Sequence, residues 1–127
     1  MTTNVLFLCP HNAAKSVAAA AFLERASADR GLDVLVKTAG TEPDPEVNPI
    51  VRNRLVADGL PVEVVPRAVS DDDLKAADIV VNIGCDLAGR PGADATRDWN
   101  IPNFSDNPIA AFAAIESHVA TLLTELT

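Results

Sequence analysis

Basic residues are scarce in this 127-residue chain: 10 Lys+Arg stand against 18 Asp+Glu, for a formal net charge of −8. That deficit argues against a general nucleic-acid binder, which needs a basic face to displace counterions. It argues equally against a polybasic membrane-surface protein. Cysteine is scarce too. Two residues, Cys9 and Cys85, cannot build a disulfide framework. No apolar run approaches the roughly 20 residues of a membrane span. The opening Met1-Thr2-Thr3-Asn4 lacks the basic start of a signal peptide. No His/Cys/Asp/Glu group shows metal-ligand spacing, so no metal is expected. Repeats, low-complexity segments and linkers are missing as well. A small soluble cytoplasmic domain spanning 1–127 is the expectation that remains. It is long enough to bury a core without staples, and free cysteines in that compartment are inert or reactive rather than bridged.

Two kinds of apolar segment alternate along the chain. Val5-Leu6-Phe7-Leu8 is continuous and ends near Pro10, as a strand buried on both faces does. After the loop from Cys9 to Lys15, Ser16–Arg30 is alanine-rich and stops at Gly31, predicting a helix with Ser16 as its cap or in its first turn. Val34-Leu35-Val36 is a second strand. Asn48-Pro49 opens a helix that runs to Gly59, and Val62–Val65 is left open. Ser70 followed by Asp71, Asp72 and Asp73 predicts a capped short helix to Ala77. Ile79–Ile83 is a third strand, and a small strand or an irregular segment is expected near Thr96–Trp99. From Asn107-Pro108 a last helix is predicted, with Ile109, Phe112, Ala113, Ile115, Val119, Leu122 and Leu126 forming one buried stripe. This order implies an α/β fold with a parallel sheet, whose ligands bind beyond the carboxyl ends of the strands. Cys9 lies at one such end and Cys85 just beyond another.

A cysteine between a buried strand and a helix start occupies a nucleophile's position. Unpaired N–H groups and partial positive charge at a helix N-terminus stabilise a thiolate and bind an oxyanion in the same place. Lys15 would add a formal charge to that anion site. Asn12 tolerates the left-handed backbone that a tight anion-binding nest needs. His11 has two readings, contact with the anion or thiol on one hand and a solvent-facing loop residue on the other. The local pattern also fits an inert buried cysteine beside a plain turn.

Cys-x5-basic-Ser directly after the first strand resembles the low-molecular-weight protein tyrosine phosphatase superfamily, and more closely the small arsenate reductases on that fold. The similarity extends through Val5-Leu6-Phe7-Leu8-Cys9, His11-Asn12-Ala13 and Ser16. It continues through Ala39-Gly40-Thr41-Glu42-Pro43, Val47-Asn48-Pro49, Asp78–Cys85 and Asp98-Trp99-x-Ile101-Pro102. The resemblance implies a three-layer αβα fold with a four-stranded parallel sheet in the order 2-1-3-4. It implies that the Cys9 thiolate attacks a bound tetrahedral oxyanion held by Lys15 and by the loop His11, Asn12, Ala13, Ala14 and Ser16, with Asn12 and Ser16 also steadying the loop and the thiolate. Arsenate would be reduced by thiol exchange, with no bound cofactor and an external reductant: thioredoxin, or mycothiol or glutathione with a redoxin. The length of the chain and its lack of tyrosine favour the reductase branch. A protein or small-ester phosphatase is the alternative, and a degenerate oxyanion-binding or regulatory module is a third.

Four positions depart from the family pattern. Lys15 replaces an arginine, exchanging a bidentate grip for a point charge. Pro10 removes one N–H donor from the loop. Ala14 replaces a glycine and is costly only if φ is positive there. Asn103-Phe104 stands where the family has Asp-Pro, and Asn cannot supply a titrating proton. Asp106, three residues on, is expected either to fill the acid's place or to cap the last helix, and the cap is the simpler reading. Cys85 is either the thiol that resolves a Cys9 adduct or a bystander at a strand end. Arg90 and Arg97 are candidates for drawing anions to the mouth or for ordinary surface charge, and His118 is expected on the surface.

Overall fold

The computed structural model describes residues 1–61 and 64–127. Of the stretch Val62–Val65, residues 62 and 63 lie outside the described residues. Strand β1 (Thr3–Leu8) is followed by α1 (Lys15–Asp29), β2 (Val34–Ala39), α2 (Pro49–Ala57), α3 (Asp71–Ala76), β3 (Ile79–Asn82), β4 (Arg97–Asp98) and α4 (Pro108–Leu126). The four strands form one parallel sheet in the order β2-β1-β3-β4, as the resemblance implied. Central β1 pairs Leu8 with Ala39 on one side and with Asn82 on the other. Cys9, Gly40 and Ile83 therefore leave the sheet at the same edge.

Helices cover the two faces unequally. On one face α1 and α4 pack together over the sheet, with Val51 and Leu55 of α2 joining the same core. Ala18 and Ala19 of α1 are fully buried, and their small side chains let the helix lie close to the strands. The other face is thinner: Leu6, Leu8 and Ala39 pack with Val69, Leu74, Cys85 and Leu87, with half-buried Ala77, Val80 and Ala93 beside them. Its helix, α3, has six residues, too few to stand alone in water. A capping box supports it, with Ser70 Oγ accepting from the Asp73 amide at 3.1 Å and the Asp73 carboxylate accepting from the Ser70 amide at 2.9 Å.

Helix α4 is long and apolar enough to cross a membrane by length and composition. It instead lays Phe112, Ile115, Val119 and Leu122 into the core beside α1. The predicted stripe needs correcting at two positions: Ile109 is 83% exposed and Ala113 is exposed as well, while Ala111 and Leu123 are buried. At about 100° per residue, Ile109 sits about 120° around the helix from Ile115 and so misses the buried face.

Candidate functional site

The loop after β1 wraps a cavity of about 350 Å³. One wall is the loop itself, with Cys9, Pro10, His11, Ala13, Ala14 and Lys15; the facing wall is Asp44, Asn48, Asn103, Phe104 and Ser105. Cys9 is 4% exposed and lines this opening. Ser16 Oγ lies 3.0 Å from Cys9 Sγ, and the Ser16 amide donates to the same sulfur at 3.4 Å. Asn12 Nδ2 donates to Ser16 Oγ at 2.9 Å. Once Cys9 is ionised its sulfur can only accept, so the Ser16 hydroxyl then points its hydrogen at it. Two donors at a helix N-terminus therefore face Sγ, an environment suited to a thiolate.

Asn12 is the single described non-glycine residue with positive φ, at 49°, in accord with the expected nest. Ala14 has φ −132°, so the exchange of glycine for alanine there carries no left-handed strain. Helix α1 begins at Lys15 rather than Ser16. Of the two places expected for Ser16, it takes the one in the first turn, where its hydroxyl lies against Cys9.

Three amides of the segment after β2 hold the loop from behind. Glu42, Asp44 and Asn48 donate to the carbonyls of Pro10, His11 and Ala13 at 2.7, 2.9 and 2.8 Å. Carbonyls tied outward leave amides to face inward. Among the described residues, the N–H groups of His11, Ala13, Ala14 and Lys15 donate to no protein acceptor. The amides of Asn12 and Ser16 are taken by the Cys9 carbonyl and sulfur, so the expected His11–Ser16 cradle narrows to four donors. Lys15 lines the cavity and, among the described residues, makes no ion pair. The site can thus hold a small oxyanion against a nucleophilic sulfur.

Several candidates fall outside the cavity. Asp106 is exposed and does not line it. Nor does Asp106 cap α4: the cap is Asn107, whose Oδ1 accepts from the Ala110 amide at 3.1 Å. What the loop turns inward is Asn103 and Ser105, with buried Phe104 fixed edge-on against Phe112 at 4.7 Å. Cys85 is buried in the thinner core with Leu6 and Leu8, whereas Cys9 belongs to the main core. Both thiols are free. Burial pushes the Cys85 thiol up from its ordinary range; Thr41 Oγ1, at 3.9 Å, opposes this, and negative charge at Cys9 adds to it. Arg90 is paired with Asp71 and Arg97 with Glu125, so neither reaches the mouth. His118 is half-buried, stacked on Trp99 at 4.8 Å.

Asp44, Arg67 and Gly40 were not singled out as site residues by sequence. Asp44 lies in an acidic, proline-rich stretch with no periodicity to mark it. Gly40 stood inside a resembling segment, which is the one signal available for it.

A profile of the family described as "Low molecular weight phosphotyrosine protein phosphatase" matches residues 4–98. A Halobacterium salinarum protein that carries arsenate reductase as a provisional name is 35% identical over 102 residues, covering 77% of this chain and 72% of its own. Among solved structures, a thioredoxin-dependent arsenate reductase of Corynebacterium glutamicum superposes with TM-score 0.80 at 28% identity. The match covers 98% of this chain and 62% of that one, so the chain spans less than two thirds of its length. An arsenate reductase of Archaeoglobus fulgidus superposes with TM-score 0.78 at 28% identity, covering 94% and 98%. The chain belongs to the low molecular weight phosphotyrosine protein phosphatase family.

Proposed function

We propose that this chain acts as a single arsenate-reductase-like domain, with Cys9 as nucleophile. The observation that carries this reading is that Cys9 and Lys15 line one cavity whose loop holds four unpartnered amides, with the Ser16 amide donating to the sulfur. Asn103 tilts the choice within the family. Ester hydrolysis must protonate an alkoxide leaving group, whereas arsenate expels an oxygen that leaves more readily, so the missing carboxylic acid weakens a phosphatase more. The names carried by the relatives at 28–35% identity point the same way.

In this scheme the Cys9 thiolate bonds to arsenic and one oxygen departs as water. A second thiol then attacks the Cys9 sulfur, a disulfide forms, and the electron pair of the S–As bond stays on arsenic, which leaves as arsenite. The cavity excludes Cys85, whose thiol is buried in the other core. This favours an external thiol as the second one: thioredoxin, or a low-molecular-weight thiol with a redoxin. Two unbridged cysteines suit a reducing cytoplasm.

The test couples arsenate to NADPH oxidation through thioredoxin, or through mycothiol or glutathione with the matching redoxin, beside hydrolysis of p-nitrophenyl phosphate. Arsenate-dependent oxidation that Cys9→Ser abolishes supports the reading. Ester hydrolysis alone makes the chain a phosphatase. A Cys9–Cys85 disulfide after turnover, seen by mass spectrometry, replaces the external thiol with Cys85.

A further inference from the structure

We propose that His11, with its ring set by Asp44, delivers the proton to the oxygen that leaves arsenic. The proposal rests on the arsenate-reductase reading and names its missing acid. The departing oxygen needs a proton to leave as water. The loop over the cavity offers Asn103, Phe104 and Ser105, none of which titrates near neutrality, and Asp106 lies elsewhere. The titratable side chains on the cavity are Cys9, His11, Lys15 and Asp44. Cys9 is the nucleophile and Lys15 the standing charge. His11 carries the ring type that changes charge near neutral pH.

The backbone places the pair. Glu42 and Asp44 donate to the carbonyls of Pro10 and His11, which laces the two loops side by side. His11 Nδ1 then lies 3.1 Å from the Glu42 carbonyl and 3.3 Å from Asp44 Oδ1. A carbonyl only accepts, so Nδ1 carries a hydrogen. Fixing one ring nitrogen in this way sets the tautomer and the orientation of the other. Among the described residues Nε2 has no partner, and His11 is one of the residues that line the cavity. The charged groups sharing this space with His11 are Asp44 from one loop and Lys15 and Cys9 from the other; the 103–105 segment adds none. The side chain is 60% exposed, so water can return its proton after each cycle.

The step balances. Cys9 Sγ bonds to arsenic, one As–O bond breaks with its pair on oxygen, and the Nε2 proton joins that oxygen as water departs. Arsenic remains As(V) until the external thiol attacks the Cys9 sulfur. Asp44 is a positioning residue and does not touch the reacting atoms.

Single-turnover formation of the Cys9–arsenic adduct, quenched and read by mass spectrometry across pH, tests the assignment. His11→Gln should form the adduct about 100-fold more slowly at pH 7, and its pH profile should differ in shape from that of wild type. Asp44→Asn should slow the step without weakening inorganic phosphate binding, and Asp44→Glu should recover part of the rate. Phosphate affinity is read by protection of Cys9 from iodoacetate and should fall far less in His11→Gln than the adduct rate does, because the backbone N–H of residue 11 stays in the cradle. A His11→Gln protein that keeps the wild-type rate and pH profile overturns the acid role, as does one whose rate loss is matched by its loss of phosphate affinity. Wild-type protein that binds phosphate but forms no adduct overturns the reductase reading, and this assignment with it.

Discussion

The backbone N–H of Arg67 donates to Oδ1 of Asn12 at 3.0 Å. Asn12 is fully buried, and its Nδ2 holds Ser16 Oγ, which in turn lies against the Cys9 sulfur. One amide side chain therefore links the segment beside β2 to the nucleophile. Asn12→Asp keeps the shape but removes the donor. The new carboxylate would draw the Ser16 hydrogen away from sulfur and place a like charge near the thiolate. A hydrogen bond to a charged group is worth about 1.5–3 kcal/mol, so Cys9 reactivity should fall roughly 10- to 100-fold. The rate of alkylation by iodoacetamide at pH 7 measures this, and an unchanged rate would break the relay.

Gly40 has no room to grow. A Cβ on it would lie 2.5 Å from the Pro10 carbonyl oxygen and 2.6 Å from that of Cys9. Both are backbone atoms and cannot swing aside. Gly40→Ala should therefore push the nucleophile's loop off its seat and cost about 1–3 kcal/mol. Urea unfolding gives the stability loss. Phosphate affinity should drop in parallel, because the displaced carbonyls belong to the residues that shape the cavity.

Strands β1, β2 and β3 were legible because each holds an apolar run, unlike the exposed Arg97–Asp98 of β4, and the helix starts because Asn48, Ser70 and Asn107 cap them. The left-handed Asn12 could also be foreseen from residue type. Ile109 was misplaced because spacing within a stripe does not say where the helix meets its core. Asp106 was misjudged because two neighbouring residues, Asp106 and Asn107, both suit a cap and only the backbone decides between them. Asp44 and Arg67 were invisible for a different reason. Arg67 reaches the site through its backbone N–H, a group every residue but proline carries, and the Asp44 carboxylate meets His11 only because the fold laces two loops together, so side-chain pattern holds no trace of either.

Acid should unfold the protein partly through Asp73. Hydrogen bonds from Arg67, at 2.8 and 3.1 Å, and then from Ser70, hold its carboxyl at about 2, below the ordinary 3.8. A depressed carboxylate stabilises the fold fully above its ordinary value, and that contribution disappears as pH falls from about 4 through about 2. Because Arg67 is 43% exposed, solvent screening trims the contribution to about 1–2 kcal/mol. Asp73→Asn should lower stability by that amount at pH 7 and converge with wild type near pH 2. Chemical denaturation at several pH values checks both ends of this window, and a constant difference across it would exclude the mechanism.

Asn103 and Asp106 should respond in opposite ways to substitution. Asn103 lines the cavity where the family resemblance implies a carboxylic acid, whereas Asp106 is exposed and off the cavity. Asn103→Asp places a titrating group on the cavity wall, where it can protonate a leaving aryloxide. Hydrolysis of p-nitrophenyl phosphate should then rise, by up to about 100-fold for a well-placed acid. The new activity should fall again once pH exceeds the range in which the introduced carboxyl holds its proton. Asp106→Asn should leave ester hydrolysis, arsenate turnover and thermal stability unchanged, since α4 keeps its Asn107 cap. Should Asp106→Asn abolish turnover while Asn103→Asp gains nothing, the proton would have to come from the far end of the loop, and the wall of the cavity would have to rearrange during catalysis to bring it in.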